Sequence, residues 1–210
     1  MPTLFRRLFG FCLVLSLVAV SPAMAQLPKF ELEPYVGAYL PLKDLISEDI
    51  EPVGRVTGSQ KEGFALGGRL TFWALGPIGF EGNFVYAWSD TELSAADTSE
   101  TTSGHVWAGD VRAVWRILPG PIGIHVDGGV AYVGRGGDSY EDVTEGKSDV
   151  GGVIGAGLRI KLPGLFAIRA DADAYLYEAQ FTAEGEAEPS EKQFQADIII
   201  SAGLVIGLGL

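Results

Sequence analysis

The sequence predicts an all-β fold, an eight-stranded antiparallel up-and-down transmembrane β-barrel after a cleaved signal peptide. Three observations carry that prediction. Period-two alternation runs through nearly every segment of the mature chain, and no stretch sustains the 3.6-residue period of a helix. Tight Gly/Pro turns alternate with long polar connections. The apolar face of the alternating segments is expected to carry no Asp, Glu, Lys or Arg at all.

The first 25 residues stand apart. Arg6 and Arg7 make a short basic start, residues 8–20 form an uncharged apolar run, and Ala23-Met24-Ala25 is a small-x-small cleavage site. This is the layout of a secretory signal peptide, and the run is too short to cross a bilayer as a helix, which needs roughly 20 residues. Cys12 follows the bulky Phe11, where a lipoprotein signal wants a small residue. Residues 1–25 are therefore expected to be removed, leaving 26–210 as one β-barrel domain. Losing Arg6 and Arg7 and no acid takes the net charge from −12 to −14, and the mature chain has no cysteine. That excludes a disulfide scaffold and a Cys-based metal site.

Composition excludes more. An excess of 27 acids over 15 Lys and Arg leaves no basic footprint for a nucleic acid. A hydrophobic content of 47% with 10% aromatics argues against disorder. The mean hydropathy is nonetheless positive, at +0.22. Acidity and apolarity must then occupy different places.

The elements follow from the alternation and its breaks. Strands are expected near 30–40, 62–73, 78–89, 104–117, 122–135, 149–162, 165–179 and 192–209. Gly76, Gly120 and Gly164 sit in tight turns 44 residues apart, and the first two each open a Gly-Pro-Ile-Gly tetrapeptide. A repeat of this length could signal propeller blades, which need four short strands each. Each period here holds two long strands and one polar loop, so hairpins repeat. The long connections, near 41–61, 90–103, 136–148 and 180–191, are rich in Asp, Glu, Ser, Thr and Gly. Three short turns opposite four long loops suit a closed eight-stranded barrel with both termini at the short-turn end.

The two faces decide between a soluble and a membrane barrel. In the seventh strand Phe166, Ile168, Ala170, Ala172, Ala174 and Leu176 oppose Arg169, Asp171, Asp173, Tyr175 and Tyr177. In the eighth, Phe194, Ile198, Ile200, Leu204, Ile206 and Leu208 oppose Gln195, Asp197 and Ser201. The polar faces also hold many glycines, among them Gly67, Gly129, Gly151, Gly155, Gly157 and Gly203. Glycine beside arginine and tyrosine suits a lumen only just wide enough for side chains, and a solvent-facing surface has no use for it. A Lys or Arg on the lipid face would cost about 2–4 kcal/mol at the bilayer midplane. The apolar face is therefore expected to meet lipid. Two aromatic belts are expected at the interfaces: Phe72, Phe80, Trp115 and Phe166 at the short-turn end, and Tyr86, Trp88, Trp107, Tyr132 and Phe194 at the long-loop end.

With that layout the chain resembles the small eight-stranded outer-membrane barrels of Gram-negative-type bacteria, the outer membrane protein beta-barrel domain family that includes OmpA-like and OmpX-like barrels. The first strand, Pro34-Tyr35-Val36-Gly37-Ala38-Tyr39, is similar to first strands of that family. The last carries Ser201-x-Gly203-x-x-Ile206-x-Leu208, which resembles the signal read by the barrel assembly machinery, followed here by Gly209 and Leu210 rather than a terminal aromatic. The resemblance implies a bacterial outer-membrane location, outer-membrane lipid and lipopolysaccharide as neighbours, and a monomer.

The lumen is expected to hold the acids Glu31, Glu33, Glu81, Asp110, Asp127, Asp171, Asp173 and Asp197 and the bases Arg69, Arg112, Arg116, Arg159, Lys161 and Arg169, with His125 among them. That is eight against six, and the expected arrangement is a salt-bridge network that plugs the barrel. A hairpin centred on Gly120 would bring Arg112 near Asp127. The expected role is structural, or surface interaction through the four long acidic loops. The alternatives are a lipid A-modifying enzyme of deacylase type and a narrow small-solute channel.

Catalysis would need a nucleophile beside a base. The two histidines are His105, close in sequence to Ser103, and His125, on the same face as Asp127. Neither sets up the apolar-face His/Ser pair a deacylase would use, so no enzyme activity is expected. Eight strands leave little room for an aqueous pore. The acidic stretch from Asp138 to Glu145 lacks the Asp-x-Asp-x-Asp-Gly order of a dedicated calcium loop. No cofactor and no metal are expected.

Overall fold

The computed structural model describes residues 29–43, 46–50, 54–95, 98–140, 143–145, 147–180, 182–183 and 192–208. The expected signal peptide and the terminal Gly209 and Leu210 lie outside the described residues. Eight long strands form the barrel: β1 (Lys29–Pro41), β2 (Gly63–Leu75), β3 (Ile78–Trp88), β4 (His105–Leu118), β5 (Ile122–Gly136), β6 (Ser148–Lys161), β7 (Phe166–Ala179) and β8 (Gln193–Leu208). Each strand lies within two residues of its expected bounds.

Every strand pairs antiparallel with its neighbours in sequence, and β1 closes the ring by pairing with both β2 and β8. Closure leaves no strand edge, so a backbone crossing hydrocarbon has all its amides and carbonyls paired. No helix among the described residues is long and apolar enough to cross a membrane. The short turns are built for reversal: Gly76 and Gly164 have φ of 57° and 78°, where a side chain would be strained.

The alternation places the faces as expected. Val111 and Val130, directly opposed in mid-strand, are 62% and 66% exposed on the outer wall. Their inward neighbours Asp110, Arg112 and Ala131 are buried. The outer wall is not wholly free of charge, however. Glu178, inside β7, points outward and pairs in register with Phe194, and Lys192 approaches it at 3.9 Å. Glu62, within the expected second strand, lies just before the observed one and is exposed. Both sit at the long-loop rim, where charge on the lipid face costs only about 0–1 kcal/mol.

The long connections contain structure the alternation did not reveal. Ile46–Ile50, Gly54–Gln60, Thr91–Ala95 and Thr98–Thr102 form a four-stranded sheet from the first two long loops. Val143–Glu145 pairs with Thr182–Ala183 across the other two. These segments are short and polar, so no apolar stripe marks them. Their pairing depends on the barrel bringing the hairpin ends together.

Candidate functional site

The polar interior is stacked in layers. At the short-turn end, Glu31 of β1 accepts from Arg159 of β6 at 2.5 Å and from Arg116 of β4 at 3.2 Å. The Arg116 guanidinium lies 3.4 Å from the centroid of the Trp73 ring. These groups keep some exposure.

Above them lies a central layer around three buried arginines. Arg69 of β2 donates to Glu33 at 2.9 Å, Asp171 at 3.1 Å, Asp173 at 2.8 Å and Ser201 Oγ at 3.0 Å. Arg112 of β4 donates twice to Asp110 at 2.7 and 2.8 Å, and through Nη1 to Asp127 at 2.8 Å and Asp173 at 2.7 Å. Arg169 of β7 reaches Glu81 of β3 at 2.6 Å and, through Nε, Asp171 at 2.9 Å. Thr71 donates to Glu81 at 2.6 Å, and His125 Nε2 lies 2.7 Å from Asp171 Oδ1. Asn83 Oδ1 accepts from Tyr35, while its Nδ2 donates to Asp110 and Tyr175. The Arg69 and Arg112 side chains are wholly buried, and their bonds cross from one wall of the barrel to the other.

Glycine makes the layer possible. A Cβ on Gly67 would fall 2.2 Å from Tyr35 Cζ, and one on Gly203 would fall 2.6 Å from Glu33 Oε1. The lumen is so narrow that large polar groups on one strand need a bare backbone on the next.

A belt of Val85, Ala87, Val106, Ala108, Val133 and Ile199 follows, around a cavity of about 10 Å³. That is room for about one water. At the long-loop end the wall turns polar again. Tyr177 donates to Asp197, Tyr39 donates to Gln60 at 3.0 Å, and Arg135 pairs with Asp149 at 2.9 Å, its guanidinium 4.8 Å from the Tyr177 ring.

Of the residues singled out from sequence, Glu33, Arg69, Glu81, Asp110, Arg112, His125, Asp127, Arg169, Asp171 and Asp173 meet in the central layer. Glu31, Arg116 and Arg159 meet below it, and Asp197 above it. Lys161 is the exception. Its position is inward by parity, but it lies at the strand's last residue, is exposed, and makes no ion pair among the described residues. A lysine at the barrel mouth reaches water at no desolvation cost. Arg135 and Asp149 were missed, although the same parity marks them as inward. Adding that pair and removing Lys161 leaves nine carboxylates facing six guanidiniums.

Ser201 and Gly203 of the expected assembly signal face the lumen, where Ser201 accepts from Arg69. Ile206 and Leu208 face outward, Leu208 being exposed. His105 does not join Ser103 in a catalytic pair. It stacks on Tyr86 in the outer aromatic belt at 5.1 Å, and Ser103 donates instead to Asp138 at 2.8 Å. His125 is held by Asp171 rather than by its strand neighbour Asp127.

A closed eight-stranded barrel with an apolar outer band, aromatic rims and an ionic interior is the build of a small integral outer-membrane β-barrel. The family profile described as outer membrane protein beta-barrel domain matches residues 10–198, and the chain belongs to that family. Its place is therefore the bacterial outer membrane, with membrane lipid around its wall.

Solved structures agree on the fold. OprG of Pseudomonas aeruginosa is similar with a TM-score of 0.64 at 12% identity, covering 87% of this chain and 96% of OprG. AlkL, solved by solid-state NMR in DMPC bilayers, gives 0.62 at 12%, covering 90% and 96%. Neisserial surface protein A gives 0.55 at 8%, covering 86% and 99%. At these identities the likeness is one of fold alone. No curated protein sequence matches this chain.

Proposed function

We propose that this protein is a non-conducting outer-membrane barrel of structural or surface-interaction type, monomeric and without catalytic activity. The observation that carries the reading is the central layer. Arg69, Arg112 and Arg169 bind carboxylates on β1, β3, β4, β5 and β7, so the lumen is crossed by charge-assisted hydrogen bonds at one level. Leaving one such buried charge without its partner costs about 3–5 kcal/mol, so the layer does not open into a passage through the barrel. A cavity of about 10 Å³ above it offers no passage.

What remains available for recognition is the long-loop rim, with its extra strands and its excess of acids. Lipopolysaccharide is its neighbour in the outer leaflet, bridged loosely through divalent ions. The barrel assembly machinery reads β8 through Ser201, Gly203, Ile206 and Leu208 after export directed by residues 1–25. Planar-bilayer recording of the purified protein tests the reading: no sustained conductance is expected, and stable single-channel steps would overturn it.

A further inference from the structure

Two glycines on β6 leave the lumen wall bare where three metal-ligating side chains converge. A Cβ on Gly157 would lie 2.2 Å from Asp171 Oδ1 and 2.4 Å from His125 Cε1. One on Gly155 would lie 2.3 Å from Asp173 Oδ1 and 2.7 and 3.0 Å from the two Asp127 oxygens. His125, Asp127 and Asp171 are all buried, and each offers a ligand atom within 4.8 Å of the others.

The charges around this shelf do not balance. The central layer holds six carboxylates, Glu33, Glu81, Asp110, Asp127, Asp171 and Asp173, and three guanidiniums. Glu33, Glu81, Asp110, Asp171 and Asp173 hold those guanidiniums closely. Asp127 has only a share of Arg112 Nη1, which also bonds Asp173. The Asp127 side chain is fully buried, yet its Oδ2 has no hydrogen-bond partner. A carboxylate oxygen buried without a donor is costly, and a cation is the ligand that such an oxygen accepts.

We infer that His125, Asp127 and Asp171 form a divalent-cation site inside the barrel, suited to Zn²⁺ ahead of Mg²⁺ or Ca²⁺. One imidazole nitrogen with two carboxylate oxygens is a borderline-soft set that Zn²⁺ takes at about 2.0–2.2 Å, with water completing four-coordination. On binding, His125 Nε2 presents its lone pair to the metal and the ring proton resides on Nδ1. Asp127 and Asp171 then yield their shares of Arg112, Arg69 and Arg169, which keep their other carboxylates. Five positive charges face the six carboxylates in place of three. The bare backbone at residues 155 and 157 lets the ligands close by side-chain rotation. Solvent reaches the layer below through the partly exposed Arg116, Arg159 and Glu31. The site is independent of whether the lumen conducts.

The test uses the protein extracted in detergent, stripped with a chelator, given ZnCl₂ alone and desalted, with metal measured by mass spectrometry. One zinc per chain is expected, resistant to millimolar Mg²⁺. His125→Gln and Asp127→Asn should each weaken zinc binding by about tenfold or more, while Glu178→Gln at the rim leaves it unchanged. Heat-modifiable gel migration reports that each variant is folded. A wild-type protein that keeps no zinc, or yields it to Mg²⁺, overturns the assignment, as does undiminished binding in both variants. Should neither variant fold, zinc-edge X-ray absorption of the wild type decides, and a shell without an imidazole overturns it.

Discussion

Arg112 Nη1 lies 2.8 Å from Asp127 Oδ1, although Arg112 stands in register opposite Gly129 and Asp127 stands opposite Val114. The pair is diagonal, and Gly129 lets the two strands approach closely there: a Cβ at Gly129 would lie 2.6 and 2.8 Å from Arg112 Cα and Cβ. The same nitrogen reaches Asp173 on β7 at 2.7 Å, joining three strands through one side chain.

Arg112→Ala should therefore destabilise the barrel by about 3–5 kcal/mol, since it strands several buried carboxylates at once. Urea unfolding in lipid vesicles, followed by gel mobility, measures it. A loss below about 1 kcal/mol would mean that the acids find other partners.

The outer wall predicts a depth dependence. Val111→Arg places a cation on the exposed mid-strand face and should cost about 2–4 kcal/mol, whereas Glu178→Arg at the rim should cost about 0–1. The same unfolding assay compares the two. Equal effects would contradict the placement of the lipid band.

Gly134 stands in register with Trp107, and a Cβ there would lie 2.3 Å from Trp107 Cε2. Gly134→Ala should cost about 1–3 kcal/mol by overpacking. In a Trp107→Ala background most of that cost should vanish, because the atoms in the way belong to the indole. A double-mutant cycle reads the coupling directly.

Beyond the membrane, Lys61 and Glu92 pair at 2.9 Å across the rim sheet. The Lys61 ammonium, by hydrogen bond and by charge, holds the Glu92 carboxyl below its usual range. A depressed carboxyl stabilises the fold above its ordinary pKa and loses that contribution as pH falls through the lowered value. NMR titration of Lys61→Met should show the Glu92 midpoint rise. Global stability should barely change, as it does for exposed pairs.

Strand parity made most of the central layer legible, because side chains alternate strictly between lumen and lipid. His125 and Asp127 were both placed in the lumen this way. Parity fell short at Lys161, which is inward by count but beyond the enclosed lumen. Glu178 is outward by count and in the structure, and there it is the expected charge-free face that fails, at the tolerant rim. Arg135 and Asp149 could have been found by the same count carried to the strand ends.

The eight strands, their faces, the short-turn and long-loop ends and the membrane class are legible along the chain, because each follows from local alternation and turn chemistry. The partners are not. Arg159 and Arg169 stand directly opposite each other in register, a like-charge pair that no local rule would favour. They are separated because Arg159 turns to Glu31 on β1 and Arg169 turns to Glu81 on β3. Those contacts join strands far apart in the chain. They exist because barrel closure and strand stagger bring opposite walls within reach of one guanidinium, and no reading along a single strand contains that distance.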